Sequence, residues 1–164
     1  MSRFIKESLI HATPERVFAF HEQPGALALL TPPWERARVI QSARISEVGS
    51  VAVVETRLFR LVPVRWVARH TAYDPPRSFE DVQESGPFCR WRHRHIIIPH
   101  REGATLRDEI DYEPPFRFFG RLVEPFLIRP RLAKLFGHRH AVTRKWCEGQ
   151  SARDEAQDRA TISS

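Results

Sequence analysis

The sequence has few cysteines, few lysines and no long apolar run. Its two cysteines, Cys89 and Cys147, are too few for a disulfide framework and are typical of a protein from a reducing compartment. No segment approaches the roughly 20 apolar residues that a membrane span requires. The N-terminus also lacks the apolar stretch of a secretory signal. We therefore expect a cytoplasmic protein without a membrane span.

The composition predicts one globular domain. The chain has 164 residues, of which 41% are hydrophobic and 28% charged, and a chain of this length buries a substantial core without help from disulfides or a structural metal. Almost no apolar residue follows Gly149. We therefore assign residues 1–149 to the domain and expect residues 150–164 to form a flexible or disordered tail.

The net charge of +6 comes almost entirely from arginine, since only three of the 26 basic residues are lysines. The arginines alternate with other residue types along the chain, as in residues 90–95, where Arg90, Arg92 and Arg94 are separated by Trp91 and His93. This alternation is typical of the wet face of a strand. No nucleic-acid-binding motif accompanies the charge, so we expect no specific nucleic-acid partner.

The periodicity predicts a strand, two short helices, six further strands and a long helix. Thr13-Pro14-Glu15 is a helix start, with Thr13 as the N-cap. A broad apolar stripe indicates a helix over 117–148, which Pro130 should kink or break between 127 and 131; among its members are Ala133, Phe136, His140 and Cys147. The strands are expected at 2–11, 35–46, 50–60, 64–74, 78–85, 90–99 and 104–113.

This order predicts an α+β fold. Connections as short as those between the last six strands require antiparallel neighbours. The strands should form a seven-stranded curved antiparallel sheet wrapped around the long, Pro-kinked C-terminal helix. Because one helix cannot fill the concave face of such a sheet, we expect a cavity between sheet and helix.

Several motifs in this order resemble the helix-grip fold of the START-like, or SRPBCC, superfamily. They are Ala12-Thr13-Pro14-Glu15-Arg16-Val17-Phe18, Leu30-Thr31-Pro32-Pro33-Trp34, Tyr73-Asp74-Pro75-Pro76, the run 79–88 and Trp91-Arg92-His93-Arg94-His95. The last four are similar to a bacterial subfamily of polyketide cyclase/dehydrase-like proteins. That subfamily also occurs fused in front of an epimerase-like domain. The resemblance covers about residues 3–148 and implies ligand binding without an organic cofactor.

Strand alternation places a partly polar set of side chains on the inner face of the sheet. Trp34, beside the proline-rich segment, is added as a candidate for the mouth of the cavity. The candidate ligand-binding residues are Trp34, Trp66, His70, Phe79, Asp81, Gln83, Trp91, His93, His95 and Tyr112.

Three interpretations of the inward polar residues compete. They can form a hydrogen-bonded network, or they can be the polar end of an apolar ligand pocket. The third interpretation is a metal site, in which His93 and His95 converge on one ion with Asp81 or His70 as a third ligand. His-x-His spacing also arises by accident, so we expect no metal and no cofactor.

We interpret the protein as a binder of a small hydrophobic or aromatic ligand in the internal cavity. One alternative is an enzyme of the cyclase, dehydratase or hydrolase type, in which His93 or His95, oriented by Asp81 or Asp108, acts as general acid or base. Another is a module that binds an epimerase-like partner protein. The sequence carries no signal for the oligomeric state.

Overall fold

The computed structural model describes residues 1–58, 62–114 and 124–162. Seven strands form one antiparallel sheet in the order β1-β7-β6-β5-β4-β3-β2. Consecutive strands from β2 to β7 are neighbours, as expected for a meander, and β1 is added beside β7. The strands are β1 Ser2–Ile10, β2 Arg38–Gln41, β3 Val51–Leu58, β4 Val62–Asp74, β5 Ser78–Ser85, β6 Arg90–His100 and β7 Gly103–Glu113.

The helices complete the predicted helix-grip α+β fold. Two short helices follow β1, and the long C-terminal helix packs against β1 and α1. A 3-10 turn spans Pro33–Glu35, and a turn of π-helix spans Glu124–Ile128. The α-helices are α1 Pro14–Glu22, α2 Ala26–Leu29 and α3 Arg129–Ile162.

Helix α1 begins as its sequence predicts. The Thr13 hydroxyl accepts a hydrogen bond from the backbone N–H of Arg16 at 3.3 Å, and Pro14 occupies the first helical position. Such a cap satisfies a backbone donor that the first turn of a helix would otherwise leave free. The cap fixes the start of α1, whose inner face packs on the sheet through Val17, Phe18 and Phe20.

One buried stripe directs α3 toward the sheet. Its members are spaced by three or four residues, as one face of an α-helix requires, and they are Leu132, Phe136, His140, Thr143 and Cys147. Ala133, which the sequence analysis assigns to this stripe, is exposed, and its neighbour Leu132 takes the buried position. The helix continues to Ile162, and the division into a domain ending at 149 and a flexible tail stays a prediction.

The C-terminal helix changes from π-helical to α-helical geometry between Ile128 and Arg129. This position lies between residues 127 and 131, where the sequence predicts a kink or break at Pro130. Pro130, which has no backbone N–H to donate, lies in the first turn of α3, directly after the change. The predicted helical segment 117–123 lies outside the described residues.

Strand β2 is much shorter than predicted. The residue pattern predicts a strand over 35–46, but only Arg38–Gln41 is paired with β3. Before the strand, Pro33–Glu35 forms a 3-10 turn and Arg36 adopts a left-handed backbone with φ of 48°. An extended strand cannot pass through that conformation. After the strand, the chain turns where the N–H of Glu47 donates to the carbonyl of Arg44 at 3.0 Å.

The outer face of the sheet carries ion pairs between arginines and carboxylates. Arg3 binds both carboxylate oxygens of Asp111, at 2.6 and 3.0 Å. Arg92 contacts Glu80 at 2.7 Å, and both Arg94 and Arg107 contact Glu109. These pairs neutralise much of the arginine charge on that face. The predicted lack of a specific nucleic-acid partner stays a prediction.

In the part of the chain that the structure describes, no helix is long and apolar enough to cross a membrane. The cytoplasmic location favoured by the cysteine content stays a prediction.

Candidate functional site

The carboxylate of Asp108 lies at the centre of a buried group of histidines on the inner face of the sheet. His93 Nε2 is 3.1 Å from Asp108 Oδ1, and His140 Nε2, on α3, is 2.7 Å from Oδ2. Because an ionised carboxylate only accepts hydrogen bonds, both imidazoles donate. His95 Nδ1 lies 2.7 Å from Oδ1 but off the direction of a hydrogen bond. Asp108 thus contacts β6 and α3 together.

Asp81, on β5, contacts the same histidines from the opposite side. Its Oδ2 lies 3.3 Å from His93 Nδ1 and 3.9 Å from His95 Nε2. The sheet register produces this arrangement, since Asp81 pairs with His93 across β5 and β6, and His95 pairs with Asp108 across β6 and β7. His93 is therefore held between two carboxylates. We call Asp81, His93, His95, Asp108 and His140 the polar cluster.

The two carboxylates make His93 a cation. Burial alone would lower the pKa of His93, but its hydrogen bonds to Asp108 and Asp81 raise the pKa to about 9. The folded pKa is then above the ordinary value of 6.5, so this charge stabilises the fold fully below that pH. Its contribution is lost as the pH rises through about 9.

The pKa values of two neighbours of His93 are both lowered, for different reasons. Burial and the positive charge of His93 lower the pKa of His95 to about 3, so His95 is neutral at pH 7. Burial would raise the pKa of Asp108, but the nearby histidines hold it well below its ordinary value. His93 is therefore an imidazolium between two carboxylates, and His95 beside it is a neutral imidazole.

Aromatic and histidine rings cover the polar cluster. Phe79 stacks on His95 with ring centroids 4.0 Å apart, and the His21 ring of α1 lies 5.5 Å from that of His95. Phe136 of α3 lies 5.1 Å from His93, edge to face. The cluster is thus packed between the sheet and both helices at this point.

His70 and Gln83 lie on the flank of the cluster. His70 is buried on β4, opposite Asp81 in the register, and its Nδ1 has no hydrogen-bond partner among the described residues. Gln83 donates from Nε2 to the carbonyl of Phe88 at 2.7 Å. Its amide therefore closes the hairpin between β5 and β6.

Four aromatic side chains continue from the polar cluster along the inner face; we call Trp66, Phe88, Trp91 and Tyr112 the aromatic group. The Trp91 ring is 4.9 Å from both Trp66 and Phe88, and 6.3 Å from His93. Trp91 and Tyr112 are buried, whereas Trp66 and Phe88 are only partly buried. At the aromatic group, the inner face of the sheet is therefore partly accessible to solvent.

Trp34 is separate from the other candidates. It lies in the 3-10 turn before β2, where its ring packs edge to face on His138 of α3 at 4.9 Å. Lys134 Nζ lies 4.8 Å above the same ring. The side chain is 41% exposed and belongs to the outer surface of α3. Its predicted role at the mouth of a cavity stays a prediction.

Three further residues on this inner side of the fold are not among the candidates from the sequence. His21 lies four positions after the buried Val17, so the helical spacing could have identified it. Arg139 adjoins His140 and lies over the Phe136 ring at 5.2 Å. Glu124 accepts hydrogen bonds from Tyr112 at 2.8 Å and from Ser2 at 2.6 Å. A glutamate isolated between apolar residues gives no signal for these contacts.

Two open clefts lie on the sheet, away from the polar cluster. One, of about 390 Å³, is formed by the turn before β2 and by β2, β3 and β4. The other, of about 370 Å³, lies over β5 and β6 and includes Ile96 and Ile98. Neither is the predicted cavity between sheet and helix, which stays a prediction.

Cys147 has no features of a nucleophile. It is buried on α3, and this burial raises the pKa of its thiol to about 12. The thiol is therefore protonated at neutral pH, and the thiolate is the reactive form.

The fold and the inner face define a helix-grip protein, and the comparison with family models identifies its family. Residues 10–133 match the family of polyketide cyclase / dehydrase and lipid transport. The match covers more than half of the chain, so the protein belongs to this family. The resemblance drawn from the sequence motifs is confirmed. A search of the curated proteins finds no match to this sequence.

Solved structures share the fold at low sequence identity. StfQ, a di-domain ARO/CYC from the steffimycin biosynthetic pathway, is similar with a TM-score of 0.74 and 11% identity over 92% of this chain and 51% of that chain. A norcoclaurine synthase point mutant from Thalictrum, in complex with a transition-state analogue, has a TM-score of 0.67 and 16% identity over 92% and 96% of the two chains.

A third similar structure belongs to a larger protein. It is a nucleoside-diphosphate sugar epimerase from Corynebacterium glutamicum, with a TM-score of 0.65 and 22% identity, and the match covers 87% of this chain but 28% of that chain. A domain similar to this chain therefore forms part of that epimerase. This agrees with the resemblance to a subfamily that also occurs fused to an epimerase-like domain.

Replacing Asp108 tests the polar cluster. Asp108→Asn keeps the shape of the side chain but removes its charge and leaves the His93 imidazolium with Asp81 alone. We expect a loss of about 3 kcal/mol in the free energy of unfolding, as for other broken buried ion pairs, measured by urea titration at pH 7. Asp74→Asn is the matched control, because Asp74 pairs with Arg77 on the surface, and it should cost less than about 0.5 kcal/mol. Equal losses in the two variants would contradict this account of the cluster.

Proposed function

We propose that the protein binds a small hydrophobic or aromatic molecule between the sheet and α3, at the aromatic group. Family membership already implies a ligand-binding or cyclase-type role. The observation that carries the finer proposal is the continuity of the inner face. Two partly buried rings, Trp66 and Phe88, lead to the buried Trp91, and Trp91 adjoins His93.

The chemistry of this surface favours a flat apolar ligand with a polar edge. Offset and edge-to-face contacts between aromatic rings contribute roughly 0.5–1.5 kcal/mol beyond simple burial. Ligand sites in general combine an apolar lining with a few polar groups that fix orientation. The aromatic group supplies the lining, and the polar cluster next to Trp91 supplies the polar groups.

Replacing Trp66 tests the location of the ligand. The probe is 1-anilinonaphthalene-8-sulfonate, an aromatic molecule whose fluorescence rises on transfer from water to an apolar site. Trp66→Ala removes a partly buried ring without touching the polar cluster, so we expect the dissociation constant to rise at least tenfold, a change of about 1.4 kcal/mol. Native mass spectrometry of the purified wild-type protein should also show a retained small molecule.

Ile98→Ala is the control for this experiment. Ile98 belongs to the same sheet but lies on its outer face, in the second open cleft, and its replacement should change the dissociation constant less than twofold. If the probe binds Trp66→Ala as tightly as wild type, or loses affinity only in Ile98→Ala, the inner face is not the site. Circular dichroism of both variants establishes that they are folded.

An acid–base function is a second candidate, and the contacts of His95 favour it. Both ring nitrogens of His93 lie within hydrogen-bond distance of carboxylates, so His93 has no free nitrogen for a substrate. His95 is neutral at pH 7, since burial and the charge of His93 lower its pKa to about 3. Its Nε2 lies 3.9 Å from Asp81 Oδ2, so this nitrogen makes no hydrogen bond to that carboxylate, and the lowered pKa makes it a weak base.

Exchange of carbon-bound hydrogen measures this function directly. Removal of a proton next to a carbonyl is the step that an aldol-type cyclisation requires, and 2-acetonaphthone in D₂O reports it by deuterium uptake at its methyl group. A positioned base accelerates such steps by roughly 10²–10⁴, so His95→Gln should lower the rate at least tenfold. An unchanged rate in His95→Gln, or a wild-type rate equal to that of buffer, would exclude His95 as the base.

A further inference from the structure

We propose that Asp81, His93 and His95 bind one divalent transition-metal cation of the zinc type, with His70 as a fourth ligand. The proposal goes beyond ligand binding at the aromatic group and does not depend on it. From the sequence alone this was the weakest interpretation, because two histidines two residues apart are common by accident. The structure adds the third ligand and the support behind the histidines.

The spacing of the ligand atoms fits one ion. Asp81 Oδ2 lies 3.3 Å from His93 Nδ1 and 3.9 Å from His95 Nε2. One ligand atom from each of the three residues lies within 4.8 Å of the other two. Zinc binds imidazole nitrogen and carboxylate oxygen at about 2.0–2.2 Å, so neighbouring ligand atoms around a tetrahedral ion are about 3.3–3.6 Å apart. The 3.3 Å between Asp81 and His93 already lies in this range, and the 3.9 Å between Asp81 and His95 is slightly longer.

Asp108 lies behind both histidines. The nitrogens that face Asp81 are His93 Nδ1 and His95 Nε2, whereas the opposite nitrogens, His93 Nε2 and His95 Nδ1, lie 3.1 and 2.7 Å from Asp108 Oδ1. Histidines that bind metals almost always direct their second ring nitrogen to a carboxylate, a carbonyl or a water. Asp108 thus accepts the supporting hydrogen bond from His93 and lies close behind His95, whose Nδ1 is off the direction of a hydrogen bond.

His70 supplies the independent second observation. It is 8% exposed, its Nδ1 has no hydrogen-bond partner in the described ranges, and it pairs with Asp81 across β4 and β5. A buried polar atom without a partner is costly. The group whose ligand atoms all lie within 4.8 Å of one another contains Asp81, His93 and His95 but not His70, so the His70 ring would have to turn toward an ion bound there to become its fourth ligand.

The proton balance of binding is simple. In the metal-free protein, the proton on His93 Nδ1 forms a hydrogen bond to Asp81. The cation takes the place of that proton, which leaves to solvent, and His93 then binds as a neutral imidazole. One carboxylate and three imidazoles are a hard and borderline donor set that suits zinc and does not suit soft ions.

Titration with the metal alone tests the site. The full-length protein is treated with a chelator, dialysed and titrated with Zn²⁺ by calorimetry, and separately with Co²⁺ by visible absorption. We expect one ion per chain with a dissociation constant below about 1 μM, which corresponds to about −8.2 kcal/mol, and intense Co²⁺ bands of a four-coordinate site. If Zn²⁺ shows no saturable binding, or if Co²⁺ gives only the weak spectrum of the hydrated ion, the wild-type protein alone overturns the proposal.

Variants locate the ion. Asp81→Asn and His95→Gln should each weaken binding at least tenfold and abolish the rise in melting temperature that Zn²⁺ causes in the wild type, while His70→Gln should alter the Co²⁺ bands. His100→Gln is the matched control, because His100 lies near Glu102 on the surface. Binding that is lost in His100→Gln, or retained in both Asp81→Asn and His95→Gln, would place the ion elsewhere. Failure here leaves ligand binding at the aromatic group untouched, since the probe of that site contains no metal.

Discussion

The buried carboxylate of Asp108 is the interaction on which the inner half of the structure depends. It contacts two histidines of the neighbouring strand β6 and one of helix α3, so a single charged group connects the sheet to the helix that covers it. Burying one carboxylate is costly unless it is paired and hydrogen-bonded. The His93 imidazolium and the His140 N–H provide that compensation, and Asp81 satisfies the second nitrogen of His93.

The faces of the sheet could be predicted because side chains in a strand alternate with a period of two. His93, His95, Trp91 and Asp108 are all buried, whereas Arg90 and Arg92 are exposed. The short connections also determined the antiparallel order of β2 to β7. Such arguments use only neighbours in the chain or across one hairpin, and they predicted most of the fold and the composition of the inner face.

Contacts between distant segments could not be predicted in this way. His140 lies 32 residues from Asp108 along the chain, and Glu124 contacts Ser2 across 122 residues; neither follows from periodicity. The truncated β2 depends on the left-handed backbone of Arg36, which its residue type does not favour. Which histidine is charged depends on the hydrogen bonds that each ring makes to the carboxylates and on the charge of the neighbouring ring, and only the three-dimensional arrangement gives these.

The central claim is that two carboxylates hold His93 as an imidazolium. Measuring the charge states of the histidines tests this claim most directly. Long-range ¹H–¹⁵N spectra of the chelator-treated protein, recorded across the pH range, report the protonation of each ring nitrogen. The account predicts that His93 carries two N–H groups until the pH approaches about 9, while His95 stays neutral down to about 3. Titration of both rings near the ordinary value of 6.5 would contradict it.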